Sequence, residues 1–355
     1  MPSVAQKYDN YDLFLEDNIK KLILPYYNLQ NSSVTQIKFK DTEKQRAVYK
    51  IESSKGTFCL KKVYFNAKEL LFVYSAIEWL YRNNINVPRL LPTVSGSRFV
   101  EINNMLFILT PWIDGEKCNY DNINNIIDSA TNLAHMHIST KRFIPIEGSS
   151  KRYGLENIHT STQKHFEQLL TSSNMAFIYK DKFSKTFLQN FDTNIYLAKL
   201  SLQVSSSINM NNLKVSLCHG DYVNKNIIFE KDNKLWVIDF DKCKMDYCVH
   251  DISYFLRRLL KRDNTKWDLE IAINSLNSYH SIHPLSLDEY KYILVYLAFP
   301  QKYWKLSRDY YNNIKKCNKN SFCKLLDKAV SKNDYQKEFI NAFKDYIQNK
   351  FKAQL

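Results

Sequence analysis

One stretch, CHGDYVNKNIIFEKDNKLWVIDFD at 218–241, restricts the possible folds more than any other part of the chain. Two short apolar runs, NIIF and LWVI, are joined by the polar segment EKDN, the pattern of a β-hairpin. Pairing of the runs brings Asn226, at the start of the first, to the same open end as Asp239, at the end of the second. Asp221 falls on the turn just before them. A carboxylate and an amide oxygen at one point are hard donors of the kind Mg²⁺ prefers. A second carboxylate nearby can receive the proton of an attacking hydroxyl. These are the parts that phosphoryl transfer needs, because positioning and charge neutralisation supply most of its rate. The acids stand out all the more in a chain whose formal charge is +14.

Upstream, the pattern is that of a small antiparallel sheet carrying one helix. A helical entry at 10–30 is followed by three strand-like runs, VTQIKFK (34–40), QRAVYKIES (45–53) and GTFCLKKVYF (56–65). In the last, alternation turns Cys59, Lys61 and Val63 one way and Phe58, Leu60 and Lys62 the other. Residues 66–84 have helical apolar spacing and end at NVP (86–88), after which SRFVEI (97–102) and MLFILTPWI (105–113) add two strands. Beyond WIDG (112–115) the chain reads as helical: one helix over 121–140, two or three between 148 and 215, and more from 250 onward. The expectation is an α+β fold of two lobes. Residues 1–111 form a β-rich nucleotide-binding lobe, 112–118 a hinge, and 119–355 a helical lobe with the hairpin inserted.

Composition narrows the class. The 355 residues are enough for two cores, and a hydrophobic content of 45% implies a folded protein. The positive charge permits attraction to phosphates or anionic surfaces. Its lysines are dispersed, however, with no long basic arm, so a nucleic-acid partner is not expected. Residues 313–355 hold ten lysines against four acids and read as a solvated helical surface, with a docking face as the alternative. Seven cysteines without a CxxC pair point to free thiols in a reducing compartment. The first residues lack the basic-then-apolar pattern of a secretory signal, and no run nears the ~18 apolar residues of a membrane span. Synthesis and retention in the cytosol are therefore expected.

A site for magnesium triphosphate also calls for a fixed cation opposite the acids. Lys61 is the candidate, and the small Cys59 on the same face leaves a flat patch for an adenine ring.

These motifs resemble a known superfamily. HGDxxxxN followed by IDFD is similar to the catalytic and metal motifs of the aminoglycoside phosphotransferase and choline kinase branch of the protein-kinase-like superfamily. LAHMH (133–137) resembles the helix before that branch's catalytic loop, and VHDISYFLRR (249–258) the segment after its metal aspartate. Over nearly the whole chain, CHGDY, GTFCLKK, VPRLLPT, FILTPWIDGE and FPQKYWKLSRDYY (299–311) together resemble the CotS-type spore coat proteins of endospore-forming bacteria. The resemblance implies ATP and Mg²⁺ as cofactors, with Asp221 catalytic, Asn226 and Asp239 metal-binding and Lys61 nucleotide-binding. It implies that Asp251 braces the catalytic loop, that Glu69, Leu109, Pro111 and Ile113 belong with Lys61 to the nucleotide site, and that the backbone of 110–113, following Leu109, contacts the adenine edge. It also implies manufacture in the mother-cell cytoplasm, a place in the spore coat, other coat proteins as partners and a role in sporulation. It does not name the hydroxyl acceptor.

Three features depart from the family pattern. DTEKQRA (41–47) has no glycine, so it cannot follow phosphates with the backbone freedom of a glycine-rich loop. The helix acid that should hold the strand lysine falls near Val73; Glu69, one turn earlier, is the substitute, and Glu78 lies on another face. IDFD has an acid where ordinary kinases have glycine, although the antibiotic-kinase branch shares that acid, making Asp241 either a second metal contact or a turn cap. His135 and His137 are expected to pack within their helix, and Cys218 to be a small core residue. FPQKYWKLSRDYY is expected to pack the helical lobe, the alternative being that Trp304, Lys305 and Tyr310 line an acceptor pocket. The leading function is ATP- and magnesium-dependent phosphotransfer to a hydroxyl by a spore coat protein. A cytosolic small-molecule kinase and a non-catalytic scaffold for coat assembly are the alternatives.

Overall fold

The computed structural model describes residues 12–40 and 45–355. The start of the helical entry (10–11) and most of the glycine-free loop (41–44) lie outside the described residues. The chain forms two compact units. The first takes residues up to Lys117 together with Arg142–Arg152 and Lys225–Cys243; the second takes Cys118–Lys141, Tyr153–Asn224 and Lys244–Leu355.

In the first unit, helix α1 (Glu16–Leu22) precedes strands β1 (Ser33–Lys40), β2 (Arg46–Ser53) and β3 (Gly56–Lys62). Helix α2 (Ala67–Arg82) follows, then β4 (Val100–Ile102) and β5 (Met105–Pro111). The strands form one antiparallel sheet in the order β1-β2-β3-β5-β4. Asn103 and Asn104 both take left-handed backbone, which gives the two-residue turn between β4 and β5 a hand that matches strand twist. Leu60 pairs with Leu109 across β3 and β5, and both enter an apolar layer closed by Leu13, Ile19, Ile23 and Leu24 at the N-terminal end of the chain. The alternation in GTFCLKK thereby sends Cys59 and Lys61 to the sheet's other face.

Helix α2 starts on a capping box. The Asn66 side chain accepts the Glu69 N–H at 3.0 Å, and the Glu69 carboxylate accepts the Asn66 N–H at 3.1 Å. The hairpin forms with Ile227 opposite Val237, and the short strand Glu116–Lys117 pairs with its outer edge. Gly115 permits that approach, since a Cβ there would collide with the Phe229 carbonyl. Asn86 anchors the hairpin by accepting the Val237 N–H and donating its side-chain amide to the Leu235 carbonyl, both at 3.0 Å.

The second unit is helical, beginning with α3 (Ile123–Ser139). Three helices, Ile158–Tyr179, Lys182–Gln189 and Phe191–Ser206, fill the segment where two or three were expected. FPQKYWKLSRDYY forms most of helix Gln301–Asn312 and builds an aromatic core. Phe183 stacks on Tyr310 with centroids 3.9 Å apart, and Phe187 on Tyr303 at 4.6 Å. Trp304 is buried and donates to Gln168, while Lys305 is exposed, so the run packs the helical part. All seven cysteines are free thiols. Among the described residues, no helix is long and apolar enough to cross a membrane.

Candidate active site

In the first unit, the face of the sheet bearing Cys59 and Lys61 opens on a cavity of about 260 Å³. Apolar wall comes from Val48, Ile108 and, on α2, Val73 and Ile77; Pro111, Trp112 and Ile113 line it as the chain leaves β5. Asn226, Asp239 and Asp241 line it from the hairpin, facing Lys61. The hairpin closes at its mouth where the Ile238 N–H meets the Asn226 carbonyl at 2.9 Å, setting Asn226 and Asp239 at the same end. Asp239 itself adopts left-handed backbone, φ 68° and ψ 62°, and opens the short turn Phe240–Lys242. That conformation is uncommon outside glycine and is tolerated best by Asn and Asp.

Lys61 Nζ lies 2.6 Å from Asp239 Oδ1 and 2.7 Å from Asp241 Oδ1. Burial opposes its charge, but the two carboxylates outweigh that and hold its pKa above the usual lysine value. Burial pushes the neighbouring Cys59 thiol up to about 11, against the pull of Lys61, so it is an apolar wall residue and not a nucleophile. Arg46 adds a guanidinium 3.7 Å from Asp241 Oδ2, stacked over the Tyr64 ring, and Arg152 donates to the Asp241 carbonyl at 2.5 Å. Two carboxylates that already hold a cationic nitrogen, with an amide oxygen in the same wall, make a hard-oxygen donor set that fits Mg²⁺.

Two residues sit apart from the cavity. Glu69 does not hold Lys61: its carboxylate caps α2, and the lysine has taken the hairpin acids as partners. Leu109 is a correction of the same kind. With Ile108 and Thr110 on the cavity face, alternation turns Leu109 into the apolar layer, and its carbonyl accepts the Leu91 N–H at 2.8 Å. The Trp112 N–H is likewise engaged, by the Thr57 carbonyl at 3.0 Å. Glu78 is occupied by a two-point ion pair with Arg89.

Asp221 belongs to the second unit, where its loop is held by backbone contacts. Asp251 Oδ2 accepts the His219 N–H at 2.6 Å and Oδ1 accepts the Gly220 N–H at 2.9 Å. Gly220 has φ 73°, a backbone that a side chain would strain. The Asp221 N–H meets His219 Nδ1 at 3.1 Å, and Tyr254 donates its hydroxyl to Asp221 Oδ1 at 3.1 Å. Burial resists ionisation of Asp251, yet His137, with Nε2 at 3.5 Å, and the further histidines His219 and His250 hold its carboxyl below the ordinary range. Burial and the Asp221 charge push the Tyr254 phenol up to about 12. His137 packs as expected, bonded to the Tyr279 hydroxyl at 2.7 Å, whereas His135 is exposed; Cys218 is buried.

The structure adds Arg46, Arg152 and Tyr254 to the residues that the sequence singled out. Arg46 follows a charged loop and reads as solvated, and Arg152 lies in a polar joint. Tyr254 alone carried a signal, falling one turn after Asp251 on the same helix face.

The antiparallel sheet, inserted hairpin and helical part make up a kinase-like fold of the aminoglycoside phosphotransferase type. The chain belongs to the phosphotransferase enzyme family, which it matches over residues 38–285. It is 21% identical to Spore coat protein S of Bacillus subtilis (strain 168) over 307 residues, 85% of this chain and 86% of that protein. Among solved structures it resembles an aminoglycoside phosphotransferase from Alicyclobacillus acidocaldarius, with a TM-score of 0.76, 16% identity, and 93% and 96% of the two chains covered. It also resembles a spectinomycin phosphotransferase in complex with ADP and spectinomycin, with a TM-score of 0.64, 16% identity, and 95% and 99% covered.

Proposed function

We propose that the chain is a spore coat phosphotransferase that moves a phosphoryl group from ATP to a hydroxyl acceptor. The observation that carries this reading is the cavity in which Lys61 meets Asn226, Asp239 and Asp241 beside an apolar wall. Lys61 fixes the nucleotide phosphates, and Arg46 supplies a second cation where a glycine-rich loop would otherwise act. Asn226 and Asp239 hold Mg²⁺, with Asp241 beside them. When bound, the ion neutralises charge on the phosphates. Pro111 and Ile113 offer backbone to the adenine edge. Asp221 takes the acceptor hydroxyl's proton as its oxygen bonds to the terminal phosphorus and the bond to the departing ADP oxygen breaks. The functional division is a nucleotide lobe (1–111), a hinge (112–118) and a helical lobe (119–355). The similarity to Spore coat protein S supports a place in the coat, reached from the mother-cell cytoplasm, with other coat proteins as partners.

Thermal unfolding with and without Mg²⁺–ATP tests the assignment. Wild type is expected to gain several degrees at saturating nucleotide. Asp239→Ala is expected to lose the gain, and Asp221→Asn to keep it while turnover falls by about 10²–10⁴. No shift with any nucleotide would leave a coat component without catalysis.

A further inference from the structure

In the second unit, the helix Cys248–Leu260 carries Tyr254, the residue bonded to Asp221, in the middle of its length. One helical turn further along the same face come Arg257 and Arg258, and the next turn brings Lys261. Lys302 and Lys332 add to the same field, and Lys332 donates to the Lys261 carbonyl at 3.0 Å. Arg258 acts electrostatically on both Tyr254 and Lys261, so the positive charge is continuous from the catalytic carboxylate outward. Among the described residues, no ion pair involves Arg257, Arg258, Lys261 or Lys302; Lys332 is paired with Asp263 at 2.5 Å. Arg257 is anchored by Gln301 Oε1 at 2.5 Å and the Phe299 carbonyl at 3.4 Å, neutral acceptors that leave its charge uncancelled. Desolvation of its ammonium first, and the neighbouring cations after it, lower the Lys261 pKa to about 8.

Two acids, one on this helix and one on the strand before it, are committed elsewhere. Asp251 holds the loop, and Asp246 accepts from Leu155 N–H, Tyr247 N–H, His250 and Lys244. A polycationic acceptor would meet repulsion on approach, and a neutral one would leave the crowded cations without a counter-charge.

We infer that the acceptor is a small hydroxyl compound bearing its own carboxylate or phosphate, with the hydroxyl at Asp221 and the anion on Arg258 and Lys261. The inference rests on the phosphotransferase reading above and names the substrate class for that same site. It sets this chain apart from the aminoglycoside and spectinomycin enzymes that share its fold.

The test measures ADP release with Mg²⁺–ATP and matched acceptors: gluconate and glycerate as anions, glucose and glycerol as neutral counterparts, and glucosamine as the amine. Release above the no-acceptor rate is expected for an anion. Its KM should rise by about tenfold or more in Arg258→Ala and again in Lys261→Glu, as loss of a charge-assisted contact implies, while kcat changes little. Both residues are exposed, so the variants should fold, which thermal unfolding verifies. Turnover confined to glucose, glycerol or glucosamine, or anion turnover indifferent to both variants, overturns the inference. Silence with every anion alongside intact Mg²⁺–ATP stabilisation also overturns it and leaves the nucleotide site standing. Loss of that stabilisation itself removes the phosphotransferase reading and this one together.

Discussion

The two units hold their functional carboxylates in opposite ways. In the first, Asp239 and Asp241 share the Lys61 ammonium, with the Arg46 guanidinium 3.7 Å from Asp241 Oδ2, both cations at the ends of long flexible stems. In the second, Asp251 is satisfied by two main-chain N–H groups whose positions are fixed by a glycine turn. Side-chain partners can be exchanged when another cation arrives, at the cost of a rotamer change. Backbone partners cannot leave without unfolding the loop. The first arrangement suits groups that must receive a ligand, and the second suits a group whose task is to keep its neighbour, Asp221, still.

That contrast breaks most readily at Asp251. Asp251→Ala strands the His219 and Gly220 N–H groups and leaves the loop without its brace, so a loss of about 3–5 kcal/mol is expected by chemical denaturation. Asp251→Asn keeps an acceptor and is expected to lose less. The carboxyl's depressed pKa fixes the sign of the pH dependence. Its contribution is complete above the unfolded-state value and disappears as pH falls through the lower folded-state value. The stability difference between wild type and Asp251→Asn should therefore shrink on acidification. A difference that is flat between neutral and strongly acid pH would show that the carboxylate does not act through its charge.

A smaller effect is expected on the exchangeable side. Lys61→Met leaves Asp239 and Asp241 without their shared cation and should cost about 1–3 kcal/mol at neutral pH. Because the acids can accept a substitute, millimolar Mg²⁺ should raise the melting temperature of Lys61→Met more than that of wild type. Equal shifts in the two proteins would mean that the hairpin acids do not exchange partners. The least effect belongs to Glu69 and its cap. Asn66→Ala should cost about 1 kcal/mol, measured by denaturation, and leave nucleotide stabilisation intact. A lost nucleotide response would tie α2 to the cavity more closely than its capping geometry does.

Much of the site could be read from periodicity. Strict alternation in GTFCLKK located the Lys61 face, and the spacing from Asn226 to Asp239 matched a closed hairpin with both residues at its mouth. What escaped was the choice among competing partners. Glu69 satisfies both the spacing for a lysine acid and the N3 position of a capping box, and the local hydrogen bond won. The resemblance points to Leu109, whereas the same alternation that locates Lys61 turns Leu109 into the core. Arg46 and Arg258 have nothing in their sequence surroundings to separate them from other surface cations; only tertiary neighbours give them meaning.

The backbone of Asp239 limits which replacements can be interpreted. Its left-handed φ of 68° means that alanine deletes the carboxylate and also forces the chain through an unfavourable bend. Asparagine accepts that curvature while discarding the formal charge, and glycine accepts it while discarding the whole arm. A set of Asn, Gly and Ala variants at this one position would therefore separate what the carboxylate contributes from what the kink requires, and only the first of these should respond to added divalent ions.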